Sequence, residues 1–202
     1  MQELSKRLFD LTISLGGIIF LLPIFFIIGL VITLESKGGI FFKQIRVGRY
    51  GHDFTLYKFR TMKLQSEKLG QLTIGAKDSR ITRVGLFLRK FKLDELPQIW
   101  NVLKGDMSLV GPRPEVRKYV NLYTPQQLKV LQVKPGITDY ASILYFNENE
   151  LLGKSEHPEE TYINIIMPEK LSINLQYVNN HHRGKDMAIL WNTLLRILHL
   201  NH

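Results

Sequence analysis

The segment "KLDELPQIWNVLKGDMSLVGPRP", Lys92 to Pro114, sets Asp94 beside Glu95, follows with Asp106, and closes on Arg113 held between Pro112 and Pro114. Arg83, Arg89 and Lys90 lie just upstream. Carboxylates and cationic side chains at this density suit phosphate chemistry. An ionised Asp attacks phosphorus when cations neutralise the phosphate oxygens. The neighbouring Glu95 can hold Mg²⁺, which takes carboxylate oxygens together with phosphate and water. Arg89, five residues before Asp94, and Arg113 offer the planar forks that phosphates accept. Asp followed by Glu is also an ordinary helix start, and Pro-Arg-Pro alone an ordinary rigid turn. Their clustering beside a long apolar segment is what points to a site.

The elements that must carry these groups can be read around them. "ELPQIWNVLKG" predicts a short helix with Asp94 at or near its N-cap and Gly105 as its stop. The exposed N–H groups and dipole of such a start would keep Asp94 ionised. "GDMSLVGPRP" then reads as a loop. "RVGLFLRKFK", Arg83 to Lys92, places Val84, Phe87, Leu88 and Phe91 at helical spacing among basic residues, a pattern that fits an anionic membrane surface or a soluble core. "GIFFKQIRVG" and "FTLYKFRTM", parted by "RYGHD", predict two short strands and a turn. "TPQQLKVLQVKPG" predicts a helix from Thr124 or Pro125 to near Pro135-Gly136, and "ASILYF" a strand. Helices follow from Glu159 to Val178, with a break at Pro168, and from Asp186 to Leu200. The sum is α+β: one helix-rich globular domain with a short β-hairpin.

Leu11 to Leu34 holds 24 residues without a charge, 17 of them Leu, Ile, Val or Phe. At ~1.5 Å per helical residue this run can cross ~30 Å of hydrocarbon. No small-residue cleavage site follows it, so the anchor is expected to stay. Pro23 predicts a bend at mid-run. Lys6 and Arg7 precede the run and Lys37, Lys43, Arg46 and Arg49 follow it, so flanking charge sets no direction. A kinked spanning helix and a hairpin that enters and leaves one leaflet both fit. The net charge of +9, beside such an anchor, favours lipid and phosphate as partners over nucleic acid. With no cysteine, disulfides, thiol catalysis and Cys-ligated metals are excluded. No P-loop or dinucleotide-binding glycine motif is present, so a nucleotide must be recognised by individual side chains. His181, His182, His199 and His202 lack an accompanying carboxylate cluster and do not read as a metal site. Trp191 with Leu190, Leu194, Leu195, Ile197 and Leu198 fits a membrane interface or a core equally.

The segments "FFKQIRVG", "YKFRTM", "LRKFKLDELPQIWNVLKGDMSLVGPRP" and "VKPGIT", in this order behind an apolar segment with a central proline, resemble the small monotopic phosphoglycosyl transferases, or bacterial sugar transferases. The resemblance covers nearly the whole chain. It implies a re-entrant anchor over residues 1–35, interfacial amphipathic helices, and a catalytic domain over 36–202 on the cytoplasmic face of the bacterial inner membrane. It implies that Asp94 attacks the β-phosphorus of a UDP-sugar, releasing UMP, and that polyprenol (undecaprenyl) phosphate then takes the phosphosugar as the first membrane step of glycan assembly. Asp94 and Glu95 are the implied catalytic pair, with Glu95 the Mg²⁺ ligand. Lys58, Arg60, Arg89 and Arg113 are implied around the phosphates, with Pro112 and Pro114 holding Arg113. The implied partners are the UDP-sugar, the polyprenol phosphate and membrane phospholipids, with room for a homodimer.

The chain departs from the family pattern twice. The serine that many members place before the kink proline is Leu22 here. After "VKPGIT", many members read Gly-x-Ala-Gln and soon an Arg; here "DYASILYFNENE" places Asp139, Ser142 and Phe146, with no Arg. Ser142, Asn147 and Glu148 are expected to reach the sugar, or the segment only supports the site. The competing functions are a membrane-anchored, lipid-binding scaffold, which would form no UMP, and a phosphohydrolase using water as acceptor.

Overall fold

The computed structural model describes residues 2–64 and 78–198. Its longest element, α1 (Gln2–Glu35), contains the whole apolar run with Pro23 inside it. Among the described residues it is the one helix long and apolar enough to cross a membrane. The hairpin follows as β1 (Phe41–Val47) and β2 (Asp53–Phe59), antiparallel from Phe41↔Phe59 to Val47↔Asp53. Then come α2 (Arg83–Lys90), α3 (Gln98–Lys104), β3 (Ser108–Val110), α4 (Arg117–Val120), β4 (Gly136–Thr138), α5 (Tyr140–Leu144), α6 (Glu148–Gly153), α7 (Pro158–Thr161), α8 (Met167–Asn179) and α9 (Arg183–Ile197). The protein is thus a helix-rich α+β domain with two small sheets and one long apolar N-terminal helix.

Both halves of α1 dock on this same domain. Near its start, the Arg7 guanidinium donates to the carbonyls of Val102 and Leu103 at 2.6 and 2.9 Å, placing a cation at the last turn of α3, where the helix dipole favours it. Asp10 is buried and accepts the Leu109 N–H at 3.2 Å. Near its end, Ile28 and Ile32 join Phe59 and Leu88 in an apolar cluster. Glu35 accepts the N–H groups of Arg83 and Val84 at 2.8 and 3.1 Å, so the last residue of α1 caps α2. Between these docks most side chains face outward, with Phe20 78% and Phe26 74% exposed, while Ser14 is fully buried and Phe25 packs on the Ile28–Ile32 cluster.

Four local expectations need correction. Asp94 does not cap a helix: α3 begins only at Gln98, and Leu93–Glu95 is a separate 3₁₀ turn entered through Lys92 at φ 55. Gly105 does stop α3, in the left-handed region that glycine adopts without strain. "GDMSLVGPRP" is not all loop, because its Ser108–Val110 is a buried strand parallel to β4, with Ser108↔Gly136 and Val110↔Thr138 in register. Three residues buried without alternation leave no period to read. "ASILYF" forms α5 rather than a strand, because Asp139 accepts the Ser142 N–H at 2.5 Å and starts a helix. "TPQQLKVLQVKPG" yields only 3₁₀ turns, Gln127–Gln132.

At the C-terminus the break expected at Pro168 is a π-helical turn, Tyr162–Ile166, with the proline in the first turn of α8. The last helix starts three residues early, at Arg183, because His182 accepts the Lys185 N–H. His199 and His202, and the expected end of this helix at Leu200, lie outside the described residues.

Two further clusters complete the core. Leu56, Val102, Met107, Val110, Tyr177 and Ile189 lie under the hairpin and small sheet. Val116, Val130, Leu152, Tyr162, Ile166 and Leu171 pack the C-terminal helices on the segment after the Pro-Arg-Pro loop. Asn101, fully buried on α3, accepts the Tyr57 N–H at 3.1 Å and donates to the Thr55 carbonyl at 2.7 Å. It answers the free edge of β2 as another strand would. This contact aligns α3, and the turn before it, with Lys58.

Candidate active site

A cavity of about 1000 Å³ lies between the hairpin and the C-terminal helices. Lys58, Arg89, Lys92, Asp94, Glu95 and Arg113 line one wall, and Thr138, Ser142, Ile143, Phe146, Thr193 and Ile197 another. The left-handed Lys92 reverses the chain after α2 and aims the 3₁₀ turn into this space. A non-glycine residue in that conformation costs ~1 kcal/mol or more, as strained positions at functional sites do.

The two adjacent carboxylates have different surroundings. Glu95 is held by ion pairs: Lys58 Nζ reaches its Oε1 at 2.9 Å, and the Arg113 guanidinium engages both oxygens, Oε2 at 2.9 Å. Burial by itself would raise the Glu95 carboxyl, but Arg113, Lys58 and Lys92 hold it well below the usual carboxylate range. Asp94 is buried, and burial and the charge of Glu95 together push its carboxyl up, against the pull of Lys58, Arg89 and Lys92. The helix-start argument for an ionised Asp94 therefore gives way to desolvation countered by cations. A carboxylate desolvated in this way leans on its cationic neighbours to ionise and is then poorly solvated, which favours attack on an electrophile.

Four cationic side chains, Lys58, Arg89, Lys92 and Arg113, face these two carboxylates. Burial lowers the Lys58, Lys92 and Arg89 groups from their ordinary values. Arg113 moves the other way, since Glu95 outweighs its burial and raises it. The surplus of two positive charges suits a diphosphate. Arg89 is fixed by donating Nε–H to Thr61 Oγ1 at 2.9 Å.

The Pro112–Pro114 loop is pinned from several sides. Arg46 donates to the Pro114 carbonyl and to Glu115 Oε1, both at 3.0 Å. Gly136 N–H donates to the Pro112 carbonyl at 3.0 Å. A Cβ on Gly136 would stand 2.1 Å from the Gly111 nitrogen, so glycine is what lets the two chains approach. Pro112 and Pro114 are buried and serve the loop backbone rather than the cavity wall.

Of the residues named from sequence, Lys58, Arg89, Asp94, Glu95, Arg113 and Ser142 meet at the cavity. Arg60 borders it, but its two terminal nitrogens donate to the carbonyls of Lys37 and Ser36 at 2.5 and 2.8 Å. Its fork is thereby spent on the end of α1 instead of a phosphate. Ser142 Oγ is buried without a hydrogen-bond partner. Glu148 lines the cavity and pairs with Lys170 at 2.5 Å, while Asn147 sits at the N-cap of α6. Asp106 pairs with Lys104 at 3.2 Å and is not a cavity residue. Sequence reasoning gave no role to Lys92, whose ammonium lies 4.8 Å from the Phe146 ring centre. It gave none to Asp139 either, although Asp is a preferred N-cap residue and here caps α5.

The oxygens that a divalent cation would need are already engaged. Among the described residues no group of three or more His, Cys, Asp or Glu could hold a metal. Both Glu95 oxygens are occupied by Arg113 and Lys58. The Asp94–Glu95 pair would suit Mg²⁺ only together with a diphosphate's own oxygens, the usual mixed ligand set for this ion, and with Arg113 moved off Glu95.

The family model described as bacterial sugar transferase matches residues 1–200. An uncharacterized sugar transferase, EpsL, of Bacillus subtilis is 41% identical over 96% of this chain and 87% of its own length. A UDP-N-acetylgalactosamine-undecaprenyl-phosphate N-acetylgalactosaminephosphotransferase of Aeromonas hydrophila is 36% identical over 96% of the chain and 43% of its own. A UDP-glucose:undecaprenyl-phosphate glucose-1-phosphate transferase of Xanthomonas campestris is 34% identical over 96% of the chain. The chain spans 39% of that last relative's length.

Proposed function

The chain belongs to the bacterial sugar transferase family, and from that premise we propose that it moves a sugar phosphate from a UDP-sugar to a polyprenol phosphate such as undecaprenyl phosphate, through a covalent bond to Asp94. The observation that carries this reading is the buried Asp94 facing a cavity of about 1000 Å³ among Lys58, Arg89, Lys92 and Arg113. A desolvated carboxylate ringed by cations has the character of a nucleophile towards a diphosphate.

In the first step an Asp94 carboxylate oxygen bonds to the β-phosphorus. The bond from that phosphorus to the bridging oxygen breaks, and UMP leaves with the electron pair. In the second, a phosphate oxygen of the polyprenol phosphate attacks the same phosphorus and the carboxylate departs. Arg113 and Arg89 bind the phosphates as planar forks and Lys58 as a point charge. Lys58 and Lys92, both lowered by burial and partly restored by Glu95 and Asp94, lie beside the carboxylates, where an ammonium counters charge that builds in the transition state. Mg²⁺, held by Glu95 with the donor's oxygens, would neutralise the diphosphate. Arg113 leaves Glu95 for the phosphate in the same event. Two transfers through one group predict ping-pong kinetics.

The membrane association fits the apolar α1. We infer the re-entrant form, with both ends on the cytoplasmic face of the inner membrane. Its support is that Arg7, Asp10 and Ser14 near one end and Ile28, Ile32 and Glu35 near the other dock on a single domain while most of the stretch between, Phe20 and Phe26 above all, stays exposed. A straight helix of 34 residues would be ~50 Å long, with a domain that size hard to keep at both of its ends across a bilayer. The test is nucleotide release from a panel of UDP-sugars by nanodisc-held protein with Mg²⁺ and undecaprenyl phosphate. UMP from one donor, lost in Asp94→Asn, is the expected result; UDP in place of UMP would refute the covalent route.

A further inference from the structure

Asp139 sits where two walls of the cavity meet, and it is 1% exposed. Its Oδ2 accepts the main-chain N–H of Arg113 at 2.8 Å, and its Oδ1 the main-chain N–H of Ser142 at 2.5 Å. One oxygen thus grips the Pro-Arg-Pro loop and the other the first turn of α5. A buried carboxylate is costly unless hydrogen bonded, and here both oxygens are committed to the backbone of residues that line the cavity. The surroundings leave these two links little freedom. The Gly111 N–H donates to the Thr138 carbonyl at 3.1 Å, and Thr138 Oγ1 lies 2.7 Å from Thr193 Oγ1 of α9. Asp139 is therefore clamped from behind by the small sheet and α9, and it transmits that rigidity forward to both walls.

We propose that Asp139 is a positioning residue that fixes the distance between the Arg113 fork and the helix presenting Ser142, acting through their main-chain N–H groups. It touches no reacting atom. Arg113 is tied to Glu95 and has to swing to reach a phosphate, so the fork needs a fixed pivot. The Asp139 contact at the Arg113 nitrogen supplies one. On the other arm, Ser142 Oγ is buried and has no partner in the protein, which leaves it for a group on the donor. A diphosphate held by Arg113 and a sugar held near Ser142 are parts of one molecule. The clamp thus sets the two contact points to a donor's own spacing.

The inference rests on the transferase reading. Its test is a double-mutant cycle on UMP release with full-length protein in nanodiscs: Asp139→Ser, Arg113→Ala, both together, and Asp139→Asn as a second single variant. Serine keeps a cap for Ser142 but is too short to hold Arg113 as well. Asparagine keeps the size but offers at most one acceptor. Each single Asp139 variant should lower kcat about 10- to 100-fold, the scale of a small misplacement of a binding group. KM for the donor should change less, with melting within a few degrees of wild type. In the Arg113→Ala background the Asp139 change should cost nothing further. Losses that multiply, or an Asp139 variant with wild-type kcat, overturn the clamp. Wild-type protein that melts normally yet releases UMP from no UDP-sugar overturns the transferase reading and this inference with it.

Discussion

The two walls of the cavity are built from opposite materials. The wall made by the hairpin, the 3₁₀ turn and the Pro-Arg-Pro loop carries two carboxylates and four cations, already paired or pulling on one another. The wall made by β4, α5 and α9 offers Ile143, Phe146, Ile197 and hydroxyls, one of them without a partner. Charge chemistry needs preset fields, whereas recognition of a sugar or base needs shape and a few neutral hydrogen bonds. The difference assigns the reacting phosphates to the first wall and the choice of donor to the second. Substitutions in the first should therefore cost rate, and those in the second selectivity.

The largest expected effect is that of Asp94→Asn, which should lower turnover by about 10⁴-fold or more, as loss of a nucleophile does. It should also raise the melting temperature at neutral pH, because a desolvated carboxylate is replaced by a neutral amide. A variant that is both active and no more stable would break the comparison at its centre. Next, Arg113→Lys should reduce kcat by about 100-fold, since a point charge replaces a two-pronged fork. An equal loss of donor affinity with kcat intact would instead make Arg113 a binding group only. On the second wall, Ser142→Ala should cost about 3- to 10-fold, the scale of one neutral hydrogen bond, and for one UDP-sugar more than for others. A uniform loss across donors would remove Ser142 from donor choice.

The smallest effect is on stability against pH, where the two neighbouring carboxyls have opposite signs. Asp94 is raised above its unfolded value of 3.8. As pH climbs past that value the unfolded chain ionises first, and stability falls until the folded Asp94 ionises too. Glu95 is depressed below 4.5. Its stabilisation is present above that value and is lost as pH falls through the lower folded one. Melting curves of Asp94→Asn should lack the loss seen with rising pH, and those of Glu95→Gln should lack the loss seen with falling pH. The acid limb of the rate profile should lie above the usual Asp range, because Asp94 must be ionised to react.

Much of the first wall was legible in the chain itself. The density of Asp, Glu, Arg and Lys from Arg83 to Pro114, the 24 uncharged residues of the apolar run and the β-branched and aromatic residues of the hairpin are local signals that burial later reused. Of the second wall, Ser142 and the last helix were legible, but the element that carries Ser142 was not. "ASILYF" has the residue types of a strand, and a single cap from Asp139 made it a helix. Arg60 belongs to a motif rich in cations, but the end of α1 offered it two free carbonyls and took its fork.

By itself the sequence determined which groups would be present and which elements would carry most of them, because composition and short-range periodicity act within a few residues. Tertiary structure alone decided how neighbours divide their work. Asp94 and Glu95 are adjacent in the chain and chemically alike, yet Lys58, 37 residues away, and Arg113, 18 away, settle on Glu95. Asp94 is left to burial. Only a fold that buries both groups and brings distant charges within hydrogen-bonding reach of one of them can separate them in this way.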